Sequence, residues 1–541
     1  MQKAETQLDI FPAPDAIPAG ITPMLPVVQK EYLVGGELRS WNGATQEVYS
    51  PIRRKSPGGA AETLLGSHPL LGEKESLEAL DAACRAYDSG RGHWPTSTVG
   101  ERIRSVEKFA FLMKEKRSEI INLLMWEIGK SQADSAKEFD RTMEYIGGTI
   151  NAMKDLDRAN SRFEIREGII AQIRRSPLGV VLCMGPFNYP LNETFTTLIP
   201  ALITGNTVIL KPPKFGVLLY GPLLAAFRDA FPAGVVNVVY GDGPVIVGPL
   251  MSSGRIDVLA FIGSSRVADI LKKQHPKPHR LRCVLGLDAK NAAIVLKDAD
   301  IALAVKECVT GALSFNGQRC TAIKIIHVQR EIAGEFIRKL SDAIDALKPG
   351  MPWDADVNLT PLPEPGKTKT MSDYIDDAVK NGAKVMNGKG GAVDGTFMFP
   401  AVVYPVNEKM RLYREEQFGP IVPVMPFDDM AEPMDYVINS NYGQQLSIFG
   451  SDPEAIARLI DPLVNQVCRV NVNSQCQRGP DAFPFTGRKD SAEGTLSITD
   501  ALRVFTIRTM VAVKDTDGNK KILTEILRDD MSNFLSTDFI F

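Results

Sequence analysis

The chain has 541 residues, 44% hydrophobic and 23% charged, which is a globular composition with enough length for two or three domains. Its formal net charge of -3 excludes an overall basic field of the kind that binds nucleic acid or acidic membranes. Its 5 histidines show no metal-ligand spacing and no GxSxG motif is present, so we expect neither a metal site nor a serine hydrolase.

Cysteine usage and hydropathy predict the compartment. The 7 cysteines are scattered without a CxxC pair, as expected in a reducing environment. No apolar run approaches the roughly 18 residues that cross a bilayer. The first 20 residues have neither the apolar core of a signal peptide nor the Arg/Ser bias of a transit peptide. We therefore expect a cytoplasmic protein with no membrane partner.

In chain order, residues 1–29 are rich in Pro and Ala and are predicted to form an extended N-terminal arm. From about residue 75 to 157, apolar residues recur at three- and four-residue steps, which predicts helices. After about residue 165, short β-rich runs alternate with helical segments, which predicts βαβ units and a buried parallel sheet. A second alternating region follows to about residue 495, and "LRVFTIRTMVAV" then predicts a terminal strand.

Polar, cationic or helix-opening residues follow three of the predicted strands. In chain order these are Asn188 and Tyr189, Lys211 and Lys214, and Gly263 and Ser264. Ligands of a parallel α/β sheet bind beyond the carboxyl ends of its strands. The last pair is also placed to open a helix whose N-terminus faces a phosphate. These strand ends together predict a nucleotide site.

The stretch "SFNGQRC" ends at Cys320, which has two interpretations. An isolated cysteine is often a small buried hydrophobic residue. Arg319 stands directly before it, and a cationic neighbour lowers the pKa of a thiol and favours a nucleophile. The local sequence leaves both interpretations open.

Five motifs occur in order along the chain: "PFNYP", "LKPP", "FIGSS", "FNGQRC" and "EEQFGPIVPV". In this order and spacing they resemble the aldehyde dehydrogenase superfamily, over roughly residues 30 to 510. Together with "QRGPDAFPF", they look most like its NADP-dependent non-phosphorylating glyceraldehyde-3-phosphate dehydrogenases. The resemblance implies an α/β, aldehyde dehydrogenase-like fold with a Rossmann-like cofactor domain, an α/β catalytic domain and a small β oligomerisation element.

The resemblance also implies domain boundaries. The dinucleotide-binding domain would comprise residues 30–158 and 176–285, and the catalytic domain residues 286–495. Residues 159–175 and 496–541 would form the oligomerisation element and the C-terminal tail. In that element "RFEIREGIIAQIRRS" is expected to pair with "LRVFTIRTMVAV". Because lone edge strands need a partner, we expect a homodimer or homotetramer.

The resemblance assigns catalytic and cofactor roles. Cys320 would attack the aldehyde, and the Asn188 amide would join the Cys320 N–H in an oxyanion hole. The matched cofactor-binding positions are Lys211, Lys214, Gly263, Ser264, Glu416 and Phe418. Glu416 would hold the nicotinamide-side ribose. Lys214 adds positive charge where relatives that prefer NAD often carry an acid, which would repel the 2′-phosphate of NADP. The resemblance therefore predicts NADP as the cofactor, with NAD as the alternative.

Four further residues match positions that hold a substrate phosphate in the resembling enzymes: Arg141, Tyr189, Arg319 and Arg478. Guanidinium groups suit this task because their planar forks bind phosphate oxygens in pairs. The implied substrate is a small phosphorylated aldehyde, with glyceraldehyde 3-phosphate oxidised to 3-phosphoglycerate.

One segment departs from the family pattern. The water-activating glutamate of the usual "ELGG" segment aligns with Gly286, and the two glycines align with Asp288 and Ala289. Losing a positioned base commonly costs about 10²–10⁴-fold in the step it serves. Asp288 could substitute, since residues two apart in a strand share a side. Alternatively, coenzyme A or phosphate accepts the acyl group, or the protein binds nucleotide and aldehyde without turnover. The presence of Cys320, Asn188 and Glu416 favours an enzyme that can be acylated.

Overall fold

The computed structural model describes residues 8–21, 26–56 and 59–540. Residues 1–7 and 22–25 of the predicted N-terminal arm therefore lie outside the described residues. Within the described part of the arm, Phe11 is buried and Val27–Val28 pairs with a longer strand, so the arm packs on the body of the protein.

The described residues form these strands: β1 (Val27–Val28), β2 (Glu31–Val34), β3 (Glu37–Ser40), β4 (Thr45–Ser56), β5 (Gly59–Pro69), β6 (Phe163–Arg166), β7 (Ile169–Pro177), β8 (Val180–Met184), β9 (Thr207–Lys211), β10 (Val236–Val238), β11 (Val258–Ile262), β12 (Arg282–Gly286), β13 (Asn291–Val295), β14 (Ile323–Gln329), β15 (Lys384–Val385), β16 (Val393–Asp394), β17 (Phe397–Met398), β18 (Ala401–Tyr404), β19 (Ile421–Phe427), β20 (Tyr442–Gly443), β21 (Gln445–Phe449), β22 (Arg469–Val472), β23 (Arg488–Lys489), β24 (Ala492–Glu493) and β25 (Thr506–Lys514).

The α-helices of the same residues are α1 (Glu73–Tyr87), α2 (His93–Thr96), α3 (Val99–Lys114), α4 (Arg117–Ile128), α5 (Gln132–Asn160), α6 (Asn192–Ile203), α7 (Leu224–Ala230), α8 (Gly243–Ser252), α9 (Ser265–Gln274), α10 (Ile301–Leu313), α11 (Arg330–Asp345), α12 (Lys367–Lys380), α13 (Arg411–Arg414), α14 (Ala431–Asn439), α15 (Pro453–Leu463), α16 (Ile498–Val504) and α17 (Asp517–Arg528). Helices α1, α3, α4 and α5 confirm the helical pattern predicted between about residues 75 and 157.

The first large sheet has 8 strands in the order β24-β12-β11-β8-β9-β10-β2-β3. Strands β8 to β12 run parallel, and every residue of β8 and β11 is buried, as expected for strands covered on both faces. Strands β9 and β10 are added on one side of β8, and β11 and β12 on its other side. Where the strand order reverses, between β8 and β11, a crevice forms at the carboxyl ends of the strands.

The second large sheet has 7 strands in the order β15-β18-β19-β14-β13-β21-β22. Its central strands are parallel and buried, which confirms the second α/β region predicted from the alternating sequence. After this sheet the chain returns to the first one, where β24 pairs antiparallel with β12. The strands β12, in the first sheet, and β13, in the second, are consecutive in the chain and link the two sheets.

A third sheet, of 3 strands in the order β25-β7-β6, contains the predicted pairing between β7 and β25. The prediction was wrong at its edge, because Leu502–Val504 belongs to α16 rather than to the strand. Ala501 and Leu502 are fully buried there, and that packing favours a helical turn. The C-terminal tail lies against β7, where Gln172 Nε2 donates to the Ser536 carbonyl at 2.6 Å.

Candidate active site

The loop that carries Cys320 begins with a tight turn after α10. Phe315 and Asn316 adopt positive φ angles of 49° and 54°, and Gly317 follows with a φ of 73°. A Cβ atom on Gly317 would lie 2.6 Å from the Gly419 carbonyl oxygen, so this close approach requires glycine. The Asn316 side chain closes the turn, donating to the Thr360 carbonyl at 3.0 Å. The "FNG" sequence therefore fixes the direction in which Cys320 leaves the helix.

Asn188 reaches this loop from the carboxyl end of β8. Its side chain is buried, and Nδ2 donates to the Gln318 carbonyl at 2.8 Å. This bond joins the β8 loop to the cysteine loop two residues before Cys320. The structure thus brings together Cys320 and Asn188, the two residues that the sequence predicted for attack and for the oxyanion hole.

A buried ion pair holds the Asn188 loop in place. The Lys130 ammonium group pairs with the Glu138 carboxylate, and both side chains are 0% exposed. Lys130 Nζ also donates to the Asn188 carbonyl at 2.8 Å. Glu138 Oε1 accepts from the backbone N–H groups of Leu191 and Asn192 at 3.0 and 3.2 Å. Two charges from the α4–α5 region therefore clamp both ends of the turn that presents Asn188.

The surroundings of Cys320 hold the thiol in its protonated form. Burial raises the pKa of the Cys320 thiol, and the Glu193 carboxylate raises it further, while Lys324 and Arg478 lower it. Lys324 Nζ donates to the Cys320 carbonyl at 2.8 Å and pairs with Glu416 at 2.9 Å. Since the thiolate is the nucleophile, the Cys320 thiol must lose its proton before it reacts.

The position of the usual glutamate has no side chain, and its neighbours close around it. A Cβ atom on Gly286 would lie 3.3 Å from Leu496 Cδ1 and 3.4 Å from Ile262 Cγ1. Asp288 lies two residues further on, but its Oδ2 accepts from the Ser265 N–H at 2.8 Å and from the Ser265 hydroxyl at 2.7 Å. The carboxylate is thus tied to the first turn of α9, which leaves the predicted role of Asp288 as substitute base without geometric support.

The residues predicted to hold a dinucleotide lie along the carboxyl edge of the first sheet. Lys211 ends β9, and burial lowers the pKa of its ammonium group to about 8. Within the described residues neither Lys211 nor Lys214 has an ion-pair partner, which suits an anionic ligand. Ser264 caps α9 as predicted, accepting from the Val267 N–H. The Gly263 N–H, however, donates to the Gly286 carbonyl at 3.0 Å and is not free for a phosphate.

Glu416 and Phe418 border the same edge from the second sheet. Burial raises the pKa of Glu416, whose carboxylate also accepts from the Ala289 N–H at 3.2 Å. Phe418, with a φ of 43°, places its ring 5.9 Å from that of Phe187, which precedes Asn188. Glu416 thus contacts the segment after β12, and Phe418 contacts the loop after β8. This donor set fits a ribose and a planar ring of a nicotinamide dinucleotide.

Arg141 and Arg478 converge on one carboxylate, Asp481. Arg141 binds it through Nε and Nη2 at 3.0 and 2.7 Å and keeps 27% of its side chain exposed. Arg478 is buried and donates to Asp481 at 3.2 Å, to the Leu496 carbonyl at 3.2 Å and to Glu193. All three nitrogens of the Arg478 guanidinium therefore already have partners within the protein.

Arg319 and Tyr189 form the other half of the predicted phosphate site. Arg319 Nη2 donates to the Gly311 carbonyl at 3.0 Å, while its buried Nε has no partner among the described residues. Tyr189 lies beneath Lys130, whose Nζ is 3.5 Å from the ring centroid. Arg319 and Arg141 both lower the pKa of the Tyr189 hydroxyl against the opposing effect of burial, so the three groups share one electrostatic environment.

Sequence reasoning missed five charged residues of this site: Lys130 and Glu138, which hold the Asn188 loop, and Glu193, Lys324 and Asp481. Glu193 lies in α6, whose residues are all buried, and Lys324 lies in β14, which is buried except for Gln329. A charge beside a buried apolar run is costly unless it is paired, so both positions carried a signal in the sequence. Asp481, in a polar loop, carried none.

The part of the chain that the structure describes has no helix long and apolar enough to cross a membrane. The same residues contain no group of three or more His, Cys, Asp or Glu side chains arranged to hold a metal ion. The cysteines, all 7 of which are described, are free.

Comparison with known proteins gives consistent matches over most of the chain. The sequence profile of the aldehyde dehydrogenase family matches residues 45–511. A Streptococcus equinus protein named NADP-dependent glyceraldehyde-3-phosphate dehydrogenase is 33% identical over 486 residues, which are 88% of this chain and 97% of that protein. A malonate-semialdehyde dehydrogenase of Bacillus pumilus is 28% identical over 499 residues, 90% of this chain and 98% of that one.

Solved structures show the same similarity in three dimensions. The crystal structure of NADP-dependent glyceraldehyde-3-phosphate dehydrogenase from Bacillus halodurans C-125, complexed with NADP, has a TM-score of 0.81 and 31% sequence identity. The match covers 90% of this chain and 100% of that one. Betaine aldehyde dehydrogenase from Staphylococcus aureus in complex with NAD+ has a TM-score of 0.82 at 24% identity, covering 92% and 97%, and supports the fold alone.

Proposed function

The chain belongs to the aldehyde dehydrogenase family, and on that premise we propose that it oxidises glyceraldehyde 3-phosphate to 3-phosphoglycerate with NADP, using Cys320 as nucleophile. The observation that carries the proposal is the bond between the Asn188 amide and the Gln318 carbonyl, which brings an oxyanion donor to the cysteine loop. A donor of this kind contributes roughly 3–4 kcal/mol to stabilising the transition state.

The chemistry proceeds on the cysteine. The Cys320 thiol loses its proton to solvent, and the thiolate attacks the aldehyde carbon; Asn188 and the Cys320 N–H hold the negative oxygen of the resulting thiohemiacetal. NADP, when bound, would supply the hydride acceptor for oxidation of this adduct to the thioester. Lys211 and Lys214 would hold the adenosine end of NADP, and Glu416 its nicotinamide-side ribose, with Phe418 beside it. Water then releases the acid and frees the thiol.

The substrate phosphate is assigned to Arg141, Arg319 and Tyr189. Arg141 is partly exposed and has one carboxylate partner, and Arg319 Nε has none among the described residues. Arg478, the fourth residue predicted for this task, is buried, and each of its three nitrogens already has a partner in the protein, so we assign it to supporting the pocket. Relatives named for glyceraldehyde 3-phosphate support the same substrate.

A second candidate function is acyl transfer, in which coenzyme A or phosphate takes the acyl group from Cys320. The specific observation in its favour is the glycine at position 286, together with an Asp288 carboxylate that is bound to Ser265. A thiol or a phosphate anion needs less help from a base than water does.

The deciding experiment is rapid mixing of the protein with NADP and glyceraldehyde 3-phosphate, with and without coenzyme A or phosphate. Hydrolytic oxidation predicts steady NADPH formation in plain buffer. A burst of about one equivalent of NADPH, followed by further turnover only when an acceptor is added, would support acyl transfer. Complete absence of NADPH would contradict both functions and leave a protein that only binds nucleotide and aldehyde.

We expect Lys214→Glu to shift the cofactor preference toward NAD, because the new carboxylate would repel the 2′-phosphate of NADP. Losing one charge-assisted contact corresponds to a fall of roughly 10–100-fold in the ratio of kcat/KM values for NADP and NAD. Lys306→Glu, at an exposed position of α10, is the matched control and should leave that ratio unchanged. An unchanged ratio in the Lys214 variant would show that this lysine does not bind the 2′-phosphate of NADP.

We expect Arg141→Ala to lower kcat/KM for glyceraldehyde 3-phosphate by roughly 10–100-fold, because a charged hydrogen bond to phosphate is lost. The value for unphosphorylated glyceraldehyde should change less than about 3-fold. Arg117→Ala is the control, since Arg117 forms an exposed ion pair with Asp140 on the neighbouring helix. Equal losses for both aldehydes would contradict a phosphate-binding role for Arg141.

Assembly through the third sheet is part of the proposal. Ile165, Ile507 and Met510 of this sheet expose 62%, 51% and 58% of their surface in the single chain. Apolar residues on a short sheet with free edges favour pairing with a second copy. A homodimer or homotetramer built through β25 is therefore the proposed form.

A further inference from the structure

Glu193 is a carboxylate in an unexpected place. It lies in the first turn of α6, where all 12 residues of the helix are buried. A buried carboxylate is stable only when it is paired, and the Arg478 guanidinium supplies that partner through Glu193 Oε2. Among the described residues no donor binds the other oxygen, Oε1. The carboxylate is thus fixed through one oxygen, and the other oxygen remains available as a hydrogen-bond acceptor.

Two residues, Leu496 and Arg478, connect Glu193 to the position of the family's usual base. A Cβ atom added to Gly286 would point toward Leu496 and lie 3.3 Å from its Cδ1. The Leu496 carbonyl accepts from Arg478 Nη2 at 3.2 Å, and Arg478 Nη1 binds Glu193. Gly286, at the end of β12, therefore lies next to Leu496, and Glu193, in α6, binds the arginine that holds the Leu496 carbonyl.

Glu193 also acts on the nucleophile. Its carboxylate has a larger effect on the pKa of the Cys320 thiol than any other charged group, including Lys324, whose ammonium group binds the Cys320 carbonyl. The other acids near the site have partners of their own: Glu416 is paired with Lys324, Asp288 with Ser265, and Asp481 with both Arg141 and Arg478. Glu193 is itself paired with Arg478, but through one oxygen only.

We propose that Glu193, positioned by Arg478, is the general base that activates water to hydrolyse the Cys320 thioester. This inference rests on the proposed oxidation through Cys320. Glu193 Oε1 takes a proton from water as the water oxygen bonds to the acyl carbon. The tetrahedral intermediate then breaks its carbon–sulfur bond, the sulfur leaves with the electron pair, and the proton on Glu193 returns to it as the acid departs.

The test compares the burst and steady phases of NADPH formation in the wild type, Glu193→Gln, Glu193→Asp and Asp288→Asn. We expect both Glu193 variants to keep a burst of about one equivalent, while the steady rate falls by about 10²-fold or more. Asp288→Asn should stay within about 3-fold of the wild type. Intact mass should show the acyl adduct accumulating on Glu193→Gln. After gel filtration removes excess aldehyde, hydroxylamine should release it as the hydroxamate.

Glu193→Asp keeps the charge next to Arg478, so it separates the loss of a base from the loss of an ion pair. A steady rate near the wild-type value in both variants, an equal loss of burst and steady phases, or a deacylation defect in Asp288→Asn instead would each overturn the assignment. A wild-type burst without steady turnover would also overturn it while leaving acylation of Cys320 intact. Absence of any burst in the wild type would overturn the proposed function itself.

Discussion

Cys320→Ala is expected to abolish NADPH formation, burst included, because no other group can form the covalent adduct with the aldehyde. The loss should be on the order of 10⁴-fold or more in kcat/KM, as for removal of other covalent nucleophiles. Binding of NADP, followed by fluorescence quenching or calorimetry, should change little, since Cys320 is assigned to the aldehyde. Stopped-flow absorbance of NADPH measures both phases.

The control for this change is Cys84→Ala. Cys84 is a half-buried cysteine of α1, an element that carries none of the residues assigned to the site. The control variant should retain the wild-type burst and steady rate. A burst of normal amplitude in Cys320→Ala would mean that hydride leaves the aldehyde without a cysteine adduct, and the mechanism would have to be abandoned.

Lys130→Met is expected to destabilise the protein by about 3–5 kcal/mol, the cost of leaving one charge of a buried pair without its partner. Glu138 would stay buried with only the Leu191 and Asn192 N–H groups to stabilise it. Because Lys130 also binds the Asn188 carbonyl, the oxyanion loop should loosen as well. Equilibrium unfolding in urea measures the free energy.

Two further variants test the cause of this loss. Lys130→Met combined with Glu138→Gln should recover part of the lost stability, since the amide oxygen can still accept from both N–H groups without an unpaired charge. Lys297→Met breaks the exposed pair with Glu331, whose side chains are 57% and 63% exposed, and should cost less than about 1 kcal/mol. If Lys130→Met cost no more than Lys297→Met, the buried pair would not be the element that holds the loop.

Much of the fold follows from local sequence patterns. The helical region before residue 160, the buried strands β8 and β11 and the pairing of β7 with β25 are all visible in hydrophobic periodicity. The predicted aldehyde dehydrogenase family and fold are confirmed by the profile match and by the solved structures. The roles of Cys320, Asn188 and the cofactor residues stay predictions, supported by where the structure places them.

The sequence by itself determined which chemical groups this protein has at its strand ends, including the thiol, the oxyanion amide and the lysines. These groups could be placed from the sequence because short motifs specify turns and strand ends through local backbone preferences. Only the tertiary structure decided how the charges pair. Glu193, Arg478 and Asp481 come from distant parts of the chain, and only their burial together shows that Arg478 is satisfied by carboxylates of the protein. Pair energies depend on distance and burial, so sequence order alone could not reveal that Glu193 and Asp481 share one arginine.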